Sequence, residues 1–235
     1  MNNALYLDDS YLKEFDATII KINSERYIIL DKTAFYPQSG GQPNDTGKIF
    51  CNNIEYNVVY VAKVNGDVSH EVDKLGLKAG DRVKGVINWE RRYKLMRMHT
   101  AAHVLNAIFF NELGAIITGN QKDLEKSRMD FNLENYNVDE IKKKIEKANE
   151  EIKKDLKVKS YYLTKEEVMK NPSLHKLAKT IEDRDVYRIL EMEGLDTQCD
   201  GGTHVKSLKE IGEIIFLKSE NKGKNNRRVY FGLRD

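Results

Sequence analysis

Three of the five histidines stand where a metal ion could use them. His99 and His103 are four residues apart in RMHTAAH. On a helix that spacing sets both imidazoles on one face, one turn apart. His204 lies five residues after Cys199 in QCDGGTHV. Two histidines from a helix with a cysteine and a histidine from a loop make a tetrahedral zinc donor set. Gly201 and Gly202 let that loop fold tightly enough for Cys199 and His204 to converge. A single H-x-x-x-H is common on solvated helix faces, and a single cysteine usually behaves as a small buried apolar group. The concentration of so few His and Cys in two places favours a site, and one Zn2+ per chain is expected. Thr100, Ala101 and Ala102 separate the two helical histidines, so no glutamate base of the H-E-x-x-H kind is present. His70 and His175 lack such partners and read as surface or internally satisfied residues, His175 in a short helix after Pro172. No G-x-G-x-x-G or P-loop occurs, so no nucleotide cofactor is expected.

The elements that must position these residues follow from period and turn chemistry. Strands are expected at 16–23, 25–30, 51–63, 67–72 and 81–88, with a Gly/Pro/Asn-rich loop, KTAFYPQSGGQPNDTGKIF, between the second and third. Short strands with frequent turns predict a small antiparallel β-barrel over 1–88. At Trp89 the period changes. Residues 90–113 contain no Pro or Gly, Met98, Ala102, Leu105 and Phe109 share one face, and Gly114 stops the helix. A charged helix is expected over 138–156, with Glu→Lys pairs at i,i+4 and nearly balanced charge. Strands at 115–118, 128–133, 157–163, 185–191, 213–218 and 227–233 complete an α+β domain over 89–235. The fold class is α+β.

Composition bounds the function. Lys+Arg 39 against Asp+Glu 37 leaves a net charge of +2 in 235 residues, which argues against a general nucleic-acid coat but not against a local basic patch. The densest cationic cluster is Lys222, Lys224, Arg227 and Arg228, and a second, with Arg91 and Arg92, opens the long helix. Both could meet phosphates. Two cysteines form no disulfide framework and suit a reducing, cytoplasmic setting. The N-terminal residues read as neither a signal nor an anchor, and no apolar run reaches the ~18 residues of a membrane helix.

These motifs, in this order, resemble the alanyl-tRNA-editing proteins of the AlaX family and the editing domain of alanyl-tRNA synthetase. RMHTAAH (97–103) resembles the family's first ligand pair and CDGGTHV (199–205) the second. FYPQSGGQ (35–42) resembles the glycine-rich motif with Gly40, Gly41 and Gln42. SRMDF (127–131) and GKNNRRV (223–229) are further family-like segments. A barrel with that motif, and no long C-terminal extension, resembles the medium-length form. One departure stands out: the family places three residues between its cysteine and the histidine, and at that position this chain has Asp200, with Cys199 one residue earlier. Cys199 is the preferred fourth ligand; Asp200, or a three-histidine site, is the alternative. The resemblance implies a deacylase that hydrolyses the ester of serine, and of glycine, mischarged onto tRNA(Ala). A second sieve is needed because one pocket cannot strongly reject an isostere that adds a hydroxyl. Thr100, Thr118, Asn120 and Gln121 are the polar candidates for its pocket. A zinc hydrolase of another ester or amide, and a non-catalytic tRNA-binding module with structural zinc, are the rival classes.

Overall fold

Alternation of buried and exposed side chains builds the first of two units, Met1–Leu95 and Met96–Asp235. The computed structural model describes residues 3–134, 137–171, 174 and 183–234; the expectation for His175 lies outside them. The first unit contains β1 (Asn3–Ala4), a turn of helix α1 (Leu5–Asp8), β2 (Glu14–Asn23), β3 (Tyr27–Leu30), β4 (Lys32–Thr33), β5 (Gly47–Cys51), β6 (Ile54–Val64), β7 (Asp67–Val72) and β8 (Arg82–Ile87). Six of these close an antiparallel barrel in the order β2-β3-β7-β6-β5-β8. Phe15, Ala17 and Ile19 of β2, Ile49 and Cys51 of β5, and Tyr56 and Val58 of β6 occupy every second position and fill the interior.

The glycine-rich motif folds as a tight turn. Ser39 and Gln42 exchange backbone hydrogen bonds of 2.8 and 3.1 Å. The two residues between them, Gly40 and Gly41, both have positive φ (56° and 80°). That is the backbone a type I′ turn demands and only glycine adopts freely. Asp45 then fastens the loop: its carboxylate accepts from the Tyr36 amide at 2.6 Å and from the Arg92 guanidinium. Arg92 is fully buried; it also donates to the carbonyls of Ser10 and Ala34.

His70 is buried in the same unit. Its Nδ1 donates to the Ile28 carbonyl at 3.2 Å, and its Nε2 accepts from the Thr33 hydroxyl at 2.8 Å. The ring is therefore satisfied only when neutral, and burial pushes it from 6.5 down to about 4. The folded state rejects a proton that the unfolded chain accepts. The His70 contribution is complete above about pH 6.5 and is lost, by about 3 kcal/mol, as pH falls toward 4. Urea unfolding between pH 4 and 7 should show a slope that His70→Gln makes shallower by that amount.

In the second unit the helix α2 (Trp89–Leu113), inside which the unit boundary falls, is buried nearly all round from Leu95 to Phe109. The expected single apolar face is thus too narrow a description. Then come β9 (Ile117–Gln121), β10 (Ser127–Phe131), α3 (Val138–Lys153), β11 (Val158–Thr164), α4 (Lys165–Met169), β12 (Val186–Met192), β13 (Asp196–Cys199), a 3₁₀ turn (Leu208–Ile211), β14 (Glu213–Asn221) and β15 (Arg227–Arg234). They form two antiparallel sheets, β14-β15-β10-β9 and β11-β12-β13. Helix α3 starts where the Asn137 side chain accepts from the Asp139 and Glu140 amides. It buries Ile141, Ile145, Ala148 and Ile152, and Asn149 ties it to β14 by two 2.8 Å bonds with Ile214. The fold is α+β with a closed barrel, as the sequence predicts. Among the described residues no helix is long and apolar enough to cross a membrane.

Candidate metal centre

His99, His103, His204 and Asp200 each offer one donor atom, and these atoms all lie within 4.8 Å of one another. The Nε2 atoms of His99 and His103 are 3.3 Å apart. Asp200 Oδ1 is 3.5 Å from the first and 3.4 Å from the second. Bonds of ~2.0–2.1 Å at tetrahedral angles put neighbouring donors about 3.3 Å apart, so this half of the cluster already has a zinc site's dimensions. The other half carries a chemical argument. The Thr100 hydroxyl donates its one hydrogen to the Met96 carbonyl at 2.9 Å. Its oxygen then accepts from His204 Nδ1 at 3.2 Å and from the Val205 amide at 3.3 Å. That bond fixes the His204 tautomer and turns the Nε2 lone pair toward Asp200 Oδ2, 2.8 Å away. Burial, the larger influence, brings His204 down to about 4 despite the Asp200 charge. A neutral nitrogen lone pair and a carboxylate oxygen at that separation repel, and a shared cation removes the conflict. Three imidazoles and a carboxylate fit zinc by donor type.

Burial also lowers His99 well below its usual range, with the Lys122 charge adding to the effect. Burial alone would raise the Asp200 carboxyl. The facing imidazoles of His99, His204 and His103 hold it well below the carboxylate range instead. The site's carboxylate is ionised, and His99 and His204 are neutral, which is the protonation a metal needs.

The loop is shaped for this approach. A Cβ built on Gly202 would overlap Cε1 and Nδ1 of His99, so only glycine lets the loop pass the ring. The Gly202 amide donates to Asp200 Oδ2 at 2.5 Å. Arg188 holds the loop from behind, donating to the carbonyls of Asp200 and Gly202 at 3.2 and 3.1 Å. Gln198 meets His103 Nδ1 and donates to Asp196 Oδ2 at 2.8 Å.

The preferred fourth ligand, Cys199, is not in this cluster. Cys199 ends β13, where side chains alternate between faces. Gln198 takes the histidine side; Cys199 takes the other and packs with Leu163 against Val168, Leu174, Tyr187 and Ile189. Beyond the strand's end, Asp200 returns to the histidines. The substrate-pocket candidates also divide. Thr100 is buried and occupied with His204. Thr118 and Gln121 are exposed, touching Asn226 at 3.4 Å and Arg128 at 3.3 Å. Asn120 accepts from the buried Lys122 at 2.9 Å. Burial lowers Lys122 to about 8, while Asp200 favours its charge; nothing local in the sequence marks this residue.

Of the six basic candidates, two are structural. Arg92 is buried on Asp45. Arg227 is buried and donates to the carbonyls of Gly223, Lys224, Asn226 and Glu134, closing the β14–β15 turn. Arg228 is held by Asp130 through two bonds of 2.7 and 2.8 Å. Arg91 donates to the Asn44 carbonyl at 3.0 Å. Lys222 pairs with Glu220 at 3.1 Å, and Lys222 and Lys224 are exposed.

A closed antiparallel barrel followed by a buried histidine–aspartate centre is the class this architecture defines. Residues 7–91 match the family described as tRNA synthetases class II (A). Residues 187–230 match the threonyl and alanyl tRNA synthetase second additional domain. The alanyl-tRNA editing protein AlaX-M of Methanosarcina barkeri is 47% identical over the whole of both chains, and that of Saccharolobus solfataricus 45%, again over both whole chains. An alanine–tRNA ligase of Methanococcus maripaludis is 40% identical over 88% of this chain and 23% of its own. The chain belongs to the AlaX-M family of alanyl-tRNA editing proteins.

Proposed function

We propose that this protein is a free-standing deacylase that cleaves the aminoacyl ester of tRNA(Ala) mischarged with serine, and also with glycine, at one zinc ion per chain. The observation that carries the reading is the convergence of His99, His103, His204 and Asp200, the first two and Asp200 already at tetrahedral spacing, in a chain whose full-length relatives bear the name alanyl-tRNA editing protein. Zinc bound there would supply a Lewis acid able to bring a water's pKa to about 7. The chain's own residues do the rest. Thr100 and Gln198 orient His204 and His103, and Gly202 and Arg188 hold Asp200 in place. The buried Lys122, whose charge is felt at His99 and Asp200, puts a cation beside the site, suited to an ester oxygen that gains negative charge. Lys222 and Lys224, on the turn between β14 and β15, are proposed to meet tRNA phosphates.

The test is hydrolysis of serine-, glycine- and alanine-charged tRNA(Ala). Serine and glycine esters should be cleaved and the alanine ester largely spared. Equal cleavage of all three would point to a general esterase. Binding of tRNA with no cleavage would point to a non-catalytic module.

A further inference from the structure

Asn106 is buried in α2, and neither its side-chain oxygen nor its nitrogen has a hydrogen-bond partner among the described residues. An amide left so is costly, and a leucine of similar size would carry no such cost. Its place in the helix bears on what could satisfy it. Asn106 follows His99 by seven residues and His103 by three, so all three share one helix face. Helical side chains lean toward the N-terminal turn, which for Asn106 is the turn that carries His103.

We propose that Asn106 determines specificity, donating from Nδ2 to, and accepting at Oδ1 from, the side-chain hydroxyl of the aminoacyl group. The inference rests on the proposed deacylase function. A hydroxyl both gives and takes one hydrogen bond, as the open amide does. The methyl of alanine and the hydrogen of glycine do neither. Thr118 and Gln121, expected to read the substrate, are exposed and have partners of their own, whereas Asn106 is buried on the ligand-bearing face.

Asn106→Leu and Asn106→Ala test it. Both should keep one equivalent of zinc and an unchanged or higher melting temperature. Cleavage of serine-charged tRNA(Ala) should fall on the order of 10²-fold in kcat/KM, with glycine-charged tRNA(Ala) within about twofold of the unaltered protein. A non-hydrolysable probe, 3′-deoxy-3′-(serylamino)adenosine, should lose affinity for both variants, and its alanyl counterpart should not. Equal losses on both esters, or no loss on either with both probes unaffected, would overturn the role of Asn106. No cleavage of the serine ester by the unaltered protein would overturn the deacylase reading and this proposal with it.

Discussion

Asp200→Ala protein should be purified without its metal and lose on the order of 10³-fold in serine-ester cleavage, about 4 kcal/mol of barrier, while Cys199→Ser should keep both metal and activity. The contrast follows from where the two side chains point. Asp200 Oδ1 stands 3.4–3.5 Å from two imidazole nitrogens, and no other carboxylate or thiol joins the cluster among the described residues. Removing it leaves three neutral donors and a two-charge cation with no anionic ligand. Cys199 contributes only packing on the opposite face of β13. Metal analysis by mass spectrometry of both variants reads the difference directly. A metal-free Cys199→Ser beside a loaded Asp200→Ala would return the fourth position to the cysteine.

The largest stability effect is expected at Arg92. Its guanidinium and the Asp45 carboxylate are both fully buried, and Asp45 also fixes the glycine-rich loop through Tyr36. Arg92→Met removes the cation and strands the carboxylate, together with the carbonyls of Ser10 and Ala34. Breaking a buried pair in this way costs about 3–5 kcal/mol, a large share of a typical domain's about 5–15 kcal/mol. Urea unfolding should show that loss. The double change Arg92→Met with Asp45→Leu should recover much of it, because the unpaired charge is the larger penalty. A loss under 1 kcal/mol in the single variant would mean that the pair does not hold the loop.

These two cases mark where the sequence was legible and where it was not. Five of the barrel's six strands could be read because β-branched runs are bounded by turns rich in Gly and Asn, whereas β5 (Gly47–Cys51) lies largely in the expected loop, its five residues hidden behind the Gly- and Pro-rich stretch. The long helix could be read because nothing in 90–113 interrupts it. His99 and His103 needed only helical spacing. The separation of Cys199 from the histidines is hard to read because β13 gives little strand signal: DTQC is four residues long and carries one β-branched residue and no aromatic. Had it been read as a strand, period two would have put Gln198 with the histidines, Cys199 behind them and Asp200 back in front. Arg92 and Arg227 were read as surface cations because a buried arginine leaves no local mark; its partners are an aspartate 47 residues away and carbonyls set by tertiary structure. Asn106 was legible in principle. It continues the i, i+4, i+7 series of the ligands, but one amide among apolar residues carries no signal until its lack of partners is seen.

One metal at His99, His103, His204 and Asp200 is proposed to make this chain an editing hydrolase. The most direct measurement strips the protein with a chelator, then follows cleavage of serine-charged and alanine-charged tRNA(Ala) as zinc is added back. Serine-ester cleavage should be lost on stripping and return linearly to a plateau at one zinc per chain, with the alanine ester largely intact throughout. Undiminished cleavage by metal-free protein, or recovery that never distinguishes serine from alanine, would contradict it.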